Sequence, residues 1–153
     1  MLARPITRLS LEEIKKKVND KEFHHLLRSQ HVTDLYEAYK KVVLKEWISI
    51  EDHVNTRFLG ASTRVFFDGR KYSFFSDYAL RYCLSKNEFP YHVEEDISHL
   101  LLWATESLSS PVVNKILKEE LQNRYHESFW FEQPINLKSV KGVWHAHVFV
   151  RHL

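Results

Sequence analysis

The sequence predicts an α+β fold in which N-terminal helices pack on a small, mostly antiparallel sheet. Apolar residues recur at helical spacing over residues 10–58, whereas strand-like segments dominate after residue 60. One further helix is expected at about 111–126, between two of these strands. The chain has 153 residues and contains no visible linker or repeat, so we expect a single globular domain over 1–153.

A capping box predicts the start of the first helix. Ser10 and Glu13 have the residue types and the spacing that satisfy free backbone N–H groups at a helix start. Asn19-Asp20 interrupts this helix, and we assign residues 1–9 before it to a flexible segment. The inward face of the helix comprises Leu11, Ile14 and Val18.

A second helix is expected to be capped by Thr33 or Asp34 and to extend to about residue 58, with a break near Ser49. The helical spacing of its apolar side chains supports this prediction. These side chains are Leu35, Tyr39, Val42, Val43, Trp47, Ile50, Val54 and Phe58.

Strand signals follow the helices. Residues 60–75 are predicted to form a variable hairpin or loop, because Asp68-Gly69 is a typical hairpin turn between two aromatic stretches. Residues 77–84 fit either a helix or a strand. The apolar run Ile97 to Ala104 predicts a buried strand.

The C-terminal third is predicted to contain a helix and two strands. Ser109 followed by Pro111 is a strong helix start, since proline is favoured in the first helical turn. Residues 128–132 and 143–151 then have strand character. The buried face of the helix is predicted to comprise Val112, Val113, Ile116, Leu117, Leu121 and Tyr125.

Composition excludes several classes of protein. The 22 basic and 20 acidic residues give a formal charge of only +2, so we expect neither nucleic-acid binding nor attachment to a membrane. Cys83 is the single cysteine, and the N-terminus lacks the apolar core of a secretory signal. We therefore expect a protein of the cytoplasm, or also of the nucleus, that is not secreted.

The last strand brings together the most informative of the ten histidines. Side chains alternate between the two faces of a strand, which places His145, His147 and Arg151 on one face. Lys138 and Ser139 lie just upstream. Such a cluster suits a small anionic or phosphorylated ligand, because imidazole, guanidinium and ammonium groups all bind phosphate oxygens.

Two alternatives to an anion site remain open at the level of the sequence. His145 and His147 could together hold a divalent metal, with a third ligand such as His99 or Asp96, although nothing fixes that third ligand. The same histidines could instead be polar residues on a half-exposed strand. The anion interpretation requires no cofactor.

Several motifs resemble those of the fungal N-acetylglucosamine-induced protein family, whose domain has no assigned function. They are Asn87-Glu88-Phe89-Pro90-Tyr91, Ile97-Ser98-His99-Leu100-Leu101-Leu102-Trp103, and Leu137-Lys138-Ser139-Val140 followed by His145-Ala146-His147-Val148. Departures include Glu88 in place of Asp and Gln133-Pro134 in place of Asn-Trp. The resemblance implies that one site contains Pro90, Tyr91, His99, Trp103, Trp130, Lys138, Ser139, His145 and His147.

The leading hypothesis is a small enzyme that acts on a phosphorylated or nucleotide-like molecule, as a phosphoester hydrolase or transferase. His145 and His147 would be the acid–base or nucleophilic pair, with His99 as a third member. Lys138, Ser139 and Arg151 would bind the phosphate. The pocket would be walled by Tyr91, Trp103 and Trp130.

Two other functions compete with catalysis. The same pocket could belong to a non-catalytic ligand-binding or regulatory domain. Alternatively, the aromatic segment 64–75 could serve as a protein-interaction module. The sequence leaves the substrate and the oligomeric state open.

Overall fold

The computed structural model describes residues 6–152 and confirms the α+β fold. The helices and strands of this range are α1 (Leu11–Asn19), α2 (Gln30–Glu46), α3 (Ile50–Leu59), β1 (Ser62–Val65), β2 (Lys71–Phe74), β3 (Tyr82–Lys86), β4 (Ile97–Ala104), α4 (Ser110–Leu121), β5 (Tyr125–Phe131) and β6 (Trp144–His152). Short 3-10 turns lie at Phe23–His25 and Ile135–Leu137.

The N-terminal capping box is confirmed. The Glu13 N–H donates to Ser10 Oγ at 3.1 Å, and the Ser10 N–H donates to the Glu13 carboxylate at 3.4 Å. Residues 1–5 of the predicted flexible segment lie outside the described residues. Leu9, in contrast, is buried and pairs with Val93, so the packed chain reaches back to this residue.

The start predicted for α2 is wrong, whereas the predicted break before α3 is confirmed. Ser29, rather than Thr33 or Asp34, caps α2, since its Oγ accepts a hydrogen bond from the Val32 N–H at 3.2 Å. Ser49 caps α3 in the same way, with a bond from the Asp52 N–H.

The apolar stripe predicted for α2 is only partly buried. Val43 is buried, whereas Leu35 and Val42 are about half exposed, at 50% and 54%. The helix instead turns tyrosines toward the loop after β3, where the Tyr36 and Tyr39 rings pack on Phe89 with centroids 4.9 and 5.0 Å away. Periodicity identifies the helix correctly, but aromatic contacts decide which face is covered.

A four-stranded antiparallel sheet of order β3-β4-β6-β5 forms the centre of the described chain. The alternation predicted for the last strand is confirmed. One face of β6, with Ala146, Val148 and Val150, is fully buried against α4. His145 and His147 lie on the opposite face, which α1 and α3 help to cover.

The helix predicted at about 111–126 is shorter than expected. It ends at Leu121, because Gln122 and Asn123 adopt left-handed backbone conformations with φ of 47° and 59°. Tyr125 therefore begins β5 instead of completing a helical face. Val112 is 39% exposed, and the buried residues of the helix are Val113, Ile116, Leu117 and Leu121.

The predicted hairpin is present as β1 and β2. Gly69 has a φ of 90°, the conformation for which the turn needs glycine. Asp52 of α3 fixes β2, because its Oδ1 accepts bonds from the N–H and the hydroxyl of Ser73 at 2.8 and 2.9 Å. The ambiguous residues near 77–84 lead into strand β3. No helix within residues 6–152 is long and apolar enough to cross a membrane.

Candidate functional site

A cleft lies between the histidine face of the sheet and helices α2 and α3. β4 and β6 form its floor, the helices form one wall, and residues 85–89 form its rim. Its volume is about 70 Å³, which admits several waters or one small polar group. The residues that carry its chemistry are Arg28, Arg57, Ser85, Lys86, Trp103, Ser139, His145 and His147.

His99 is held in one neutral form by its neighbours. Its side chain is buried, and the Tyr91 N–H donates to its Nδ1 at 3.1 Å. The Asn87 amide nitrogen lies 3.5 Å from the same atom, while its oxygen accepts from the Phe89 N–H. A ring nitrogen that accepts from an N–H carries no proton, so neutral His99 carries its proton on Nε2.

His99 in turn fixes the proton of His147. His99 Nε2 lies 2.8 Å from His147 Nδ1. Because the ring proton of His99 is on Nε2, His147 Nδ1 must accept it. Neutral His147 therefore carries its proton on Nε2, the nitrogen that remains available to the cleft.

His145 has the opposite arrangement. Its Nδ1 lies 3.0 Å from the Val143 carbonyl oxygen, which can only accept a hydrogen bond. The proton of neutral His145 is thus on Nδ1, and Nε2 keeps a free lone pair. The two imidazoles, with centroids 5.8 Å apart, offer the cleft one acceptor and one donor.

Burial keeps all three histidines neutral near pH 7. It lowers the pKa of His99 and His147 well below the usual range, and the positive charge of Arg28 acts in the same direction. Burial also lowers the pKa of His145, although its bond to Val143 opposes the change. A neutral imidazole is the form that can accept a proton.

The same hydrogen bonds bear on metal binding. A metal ligand must offer a lone pair, and His147 Nε2 carries a proton for as long as His99 donates to Nδ1. Of the two histidines that line the cleft, His145 alone offers a free nitrogen. Among residues 6–152, no group of three or more His, Cys, Asp or Glu side chains is placed to hold a metal ion.

Two of the predicted aromatic residues support the histidines. Tyr91 is buried, stacks on His147 with centroids 5.2 Å apart, and accepts a bond from the Gln133 amide at 2.8 Å. Trp103 packs on His145 at 4.7 Å. Ser139 lines the cleft, where its Oγ accepts from the Tyr36 hydroxyl at 2.9 Å.

Four predicted ligand-binding residues are not part of the cleft lining: Tyr91, which lies behind His147, and Lys138, Trp130 and Arg151. Lys138 is buried and paired with Glu132 at 2.7 Å. Trp130 packs on the α4 side of the sheet, where its Nε1 donates to Asn114. Arg151 shares a face with His145 but lies six residues along the strand, about 20 Å away at 3.3 Å per residue.

Arg151 is also neutralised by acidic side chains. It bonds Glu12 at 2.8 Å and Glu127 at 3.1 Å. The alternation of a strand identifies the shared face correctly, but it does not give the distance along the strand or the carboxylates that other elements supply.

Three basic residues line the cleft that the sequence-based prediction did not include. Arg28, Arg57 and Lys86 all line the cleft. Arg28 belongs to Leu27-Arg28-Ser29, just before α2, a stretch that also resembles the fungal family, so that resemblance could have identified it. Lys86 directly precedes the Asn87 motif, whereas nothing in the sequence marks Arg57.

Comparisons with known proteins place the chain in a family. A family model described as "Protein of unknown function (DUF3605)" matches residues 10–111. The uncharacterized protein YPL067C of Saccharomyces cerevisiae is 25% identical over 155 residues, which cover 91% of this chain and 77% of the relative. The crystal structure of a protein called HTC1 has the same fold, with a TM-score of 0.61 and 21% identity over 94% of this chain and 85% of that one. Since the family model matches more than half of the chain, the protein belongs to the family described as "Protein of unknown function (DUF3605)".

Proposed function

We propose that the cleft is an active site in which His145 accepts a proton and His147 donates a hydrogen bond. The observation that carries the proposal is the complementary state of the two Nε2 atoms. His145 Nε2 is a free acceptor, because the ring proton is on Nδ1, which donates to the Val143 carbonyl. The other is a donor, because His99 occupies Nδ1 of His147.

The substrate class that fits best is a small phosphorylated or nucleotide-like molecule, and the reaction is hydrolysis or transfer of its phosphoester. His145 would take the proton of a water or hydroxyl while that oxygen bonds to phosphorus. The protonated imidazole would then return the proton to the leaving oxygen. The His147 N–H would bind a phosphoryl oxygen and stabilise its developing charge.

The mechanism requires no cofactor. A divalent metal shared by His145 and His147 is the minor alternative, and the protonated Nε2 of His147 argues against it. The resemblance to the fungal N-acetylglucosamine-induced family remains a prediction. Its name describes induction by a sugar, which is no support for sugar binding in this cleft.

A second candidate is ligand binding without catalysis. Two buried polar atoms of cleft residues, Ser85 Oγ and Trp103 Nε1, have no hydrogen-bond partner within residues 6–152. Buried polar groups are nearly always paired, so these atoms favour an occupant that binds them. Such an occupant need not be a substrate.

The test assays turnover of nucleotides, cyclic nucleotides and sugar phosphates by the wild type and by His145→Ala, His147→Ala and His126→Ala proteins. His126 is exposed on β5 and serves as the matched control. We expect His145→Ala to lose about 10²- to 10⁴-fold in rate, as is usual for a general base, and His126→Ala to keep full activity. Absence of turnover by the wild type, with and without added metals, would overturn the proposal. A compound that raises the melting temperature but is recovered unchanged would favour the second candidate.

A further inference from the structure

We propose that Arg28 forms the phosphate subsite of the cleft and that Lys86, at the rim, adds the second positive charge that favours a phosphomonoester dianion. This inference rests on the proposed function, since it names the group that the active site would hold. It moves the anion site away from Lys138 and Arg151, which the sequence favours.

Arg28 is preorganised to bind an oxyanion. Its Nε–H donates to the Phe89 carbonyl at 2.7 Å, and its guanidinium lies over the rings of Tyr36 and Tyr91, at 4.8 and 5.4 Å from their centroids. These contacts fix the plane of the guanidinium. The Nη1 and Nη2 groups have no hydrogen-bond partner in the described part of the chain. A fixed guanidinium with two free NH2 groups binds a phosphate through paired hydrogen bonds and loses little side-chain entropy.

The charge balance of the cleft favours a dianion. Its charged lining residues are Arg28, Arg57, Lys86 and Glu88, and Arg57 is already paired with Glu88. Arg28 and Lys86 have no carboxylate within 4.0 Å among residues 6–152. The histidines are neutral, so two positive charges remain. A phosphomonoester carries close to two negative charges at pH 7, since its second pKa is about 6, whereas a carboxylate carries one.

Lys138 and Arg151, the two basic residues that the sequence predicts as phosphate ligands, are already paired with carboxylates. Lys138 is only 6% exposed in its side chain and bonds Glu132, and Arg151 bonds Glu12 and Glu127. A phosphate at either residue would have to displace a carboxylate. At Arg28 and Lys86 it would displace only solvent.

Unpaired polar atoms of the same cleft provide a second, independent indication of an occupant. Trp103 is only 5% exposed and its Nε1–H has no acceptor, and the Ser85 hydroxyl is likewise unpaired. Ser85 pairs with Leu101 and lies on the histidine face of the sheet, whereas Lys86, the next residue, starts from the other face and reaches the cleft only at its rim. Both atoms can donate, as the oxygens of an anion require.

The experiment measures binding of inorganic phosphate, phenyl phosphate and benzoate by titration calorimetry, at pH 7.5 and constant ionic strength. The proteins are the wild type and the Arg28→Met, Lys86→Met, Arg151→Met and Arg64→Met variants. Arg64 is the control because it is an exposed hairpin arginine that stacks on Phe74, outside the cleft. Methionine keeps the length of each side chain and removes its charge.

We expect the wild type to bind both phosphates and to bind benzoate more weakly than phenyl phosphate. Arg28→Met should weaken phenyl phosphate binding by about 10- to 100-fold, as loss of charged hydrogen bonds does. Lys86→Met should weaken it by about two- to fivefold, as an exposed charge does. The Arg151→Met and Arg64→Met proteins should bind like the wild type.

Three results would overturn the phosphate subsite: no phosphate binding by the wild type, benzoate binding as tight as phenyl phosphate, or unchanged binding by Arg28→Met. If circular dichroism finds Arg28→Met unfolded, Arg28→Lys decides, because it keeps the charge but lacks the planar fork. Unchanged phosphate affinity in Arg28→Lys would then overturn the subsite.

The subsite and the proposed catalysis can fail separately. A wild type that binds phenyl phosphate through Arg28 but turns over no phosphoester would keep the subsite and remove the enzyme. A wild type that binds no phosphate but turns over an uncharged ester through His145 would keep the catalytic histidines and remove the phosphate subsite.

Discussion

Asn87 connects the loop after β3 to the histidines of the cleft. It is buried, accepts from the Phe89 N–H at 2.9 Å and places its amide nitrogen 3.5 Å from His99. The Asn87→Ala change leaves a half-buried N–H unpaired, so we expect a loss of about 1–3 kcal/mol in the free energy of unfolding. Urea titration measures it. The matched control is Asn136→Ala at an exposed position, where we expect a change within about 0.5 kcal/mol. Equal effects of the two changes would contradict this role of Asn87.

Strand β6 tests the packing at the scale of an element. Val148 is fully buried against α4, whereas Val65 on β1 is 68% exposed. We expect Val148→Ala to lower the free energy of unfolding by about 2 kcal/mol, because buried methyl groups are removed and a cavity remains. Val65→Ala should change it by less than about 0.5 kcal/mol. A larger loss for Val65→Ala would mean that the hairpin is covered in solution.

A substitution tests whether the tip of the β1–β2 hairpin is packed better than a deletion of the hairpin does. Ser73 bonds Asp52, so removing residues 64–75 would leave an acidic side chain of α3 without its partners. Phe67 at the tip is 91% exposed. We expect Phe67→Ser to lower the melting temperature only slightly. A loss of about 0.2 kcal/mol of packing shifts it by less than about 1 °C. A large fall in melting temperature would show that the tip is packed.

Local patterns predict most of the elements, but not how they meet. The capping box at Ser10, the Asp68-Gly69 turn and the alternation along β6 depend on neighbours in the chain, and all three are confirmed. The end of α4 depends on the left-handed backbone of Gln122 and Asn123, which no residue type demanded. The covered face of α2 depends on Phe89, some fifty residues away.

The same distinction applies to the site. Strand periodicity places His145 and His147 on one face, and the family resemblance adds His99. The partners that fix their protons are backbone groups of Tyr91 and Val143, which carry no sequence signal. Arg28 lies in a stretch that resembles the family, but the resemblance gives it no role, and only folding brings it from just before α2 to the cleft.

For the whole molecule, the buried histidines predict how stability depends on pH. In the folded protein burial lowers the pKa of His99, His145 and His147, whereas a histidine of the unfolded chain has a pKa of about 6.5. Below pH 6.5 the unfolded state therefore binds more protons than the folded state. The free energy of unfolding should fall on acidification, by up to about 1.4 kcal/mol per pH unit for each histidine.

Urea unfolding at pH 8, 7, 6 and 5.5 measures this dependence. Paired carboxylates such as Glu12, whose pKa is lowered by Arg151, begin to contribute only below about pH 4.5, so the two effects are separable. A free energy of unfolding that stays constant or rises between pH 7 and 5.5 would contradict the neutral, buried state of the histidines.

The cleft presents a free nitrogen on His145 and an N–H on His147. Nitrogen-15 NMR of the histidine rings at pH 7.5 tests it most directly, with His145→Gln and His147→Gln proteins to assign the signals. We expect His145 to carry its proton on Nδ1 and His99 and His147 to carry theirs on Nε2. A proton on Nδ1 of His147, or a charged His145, would contradict it.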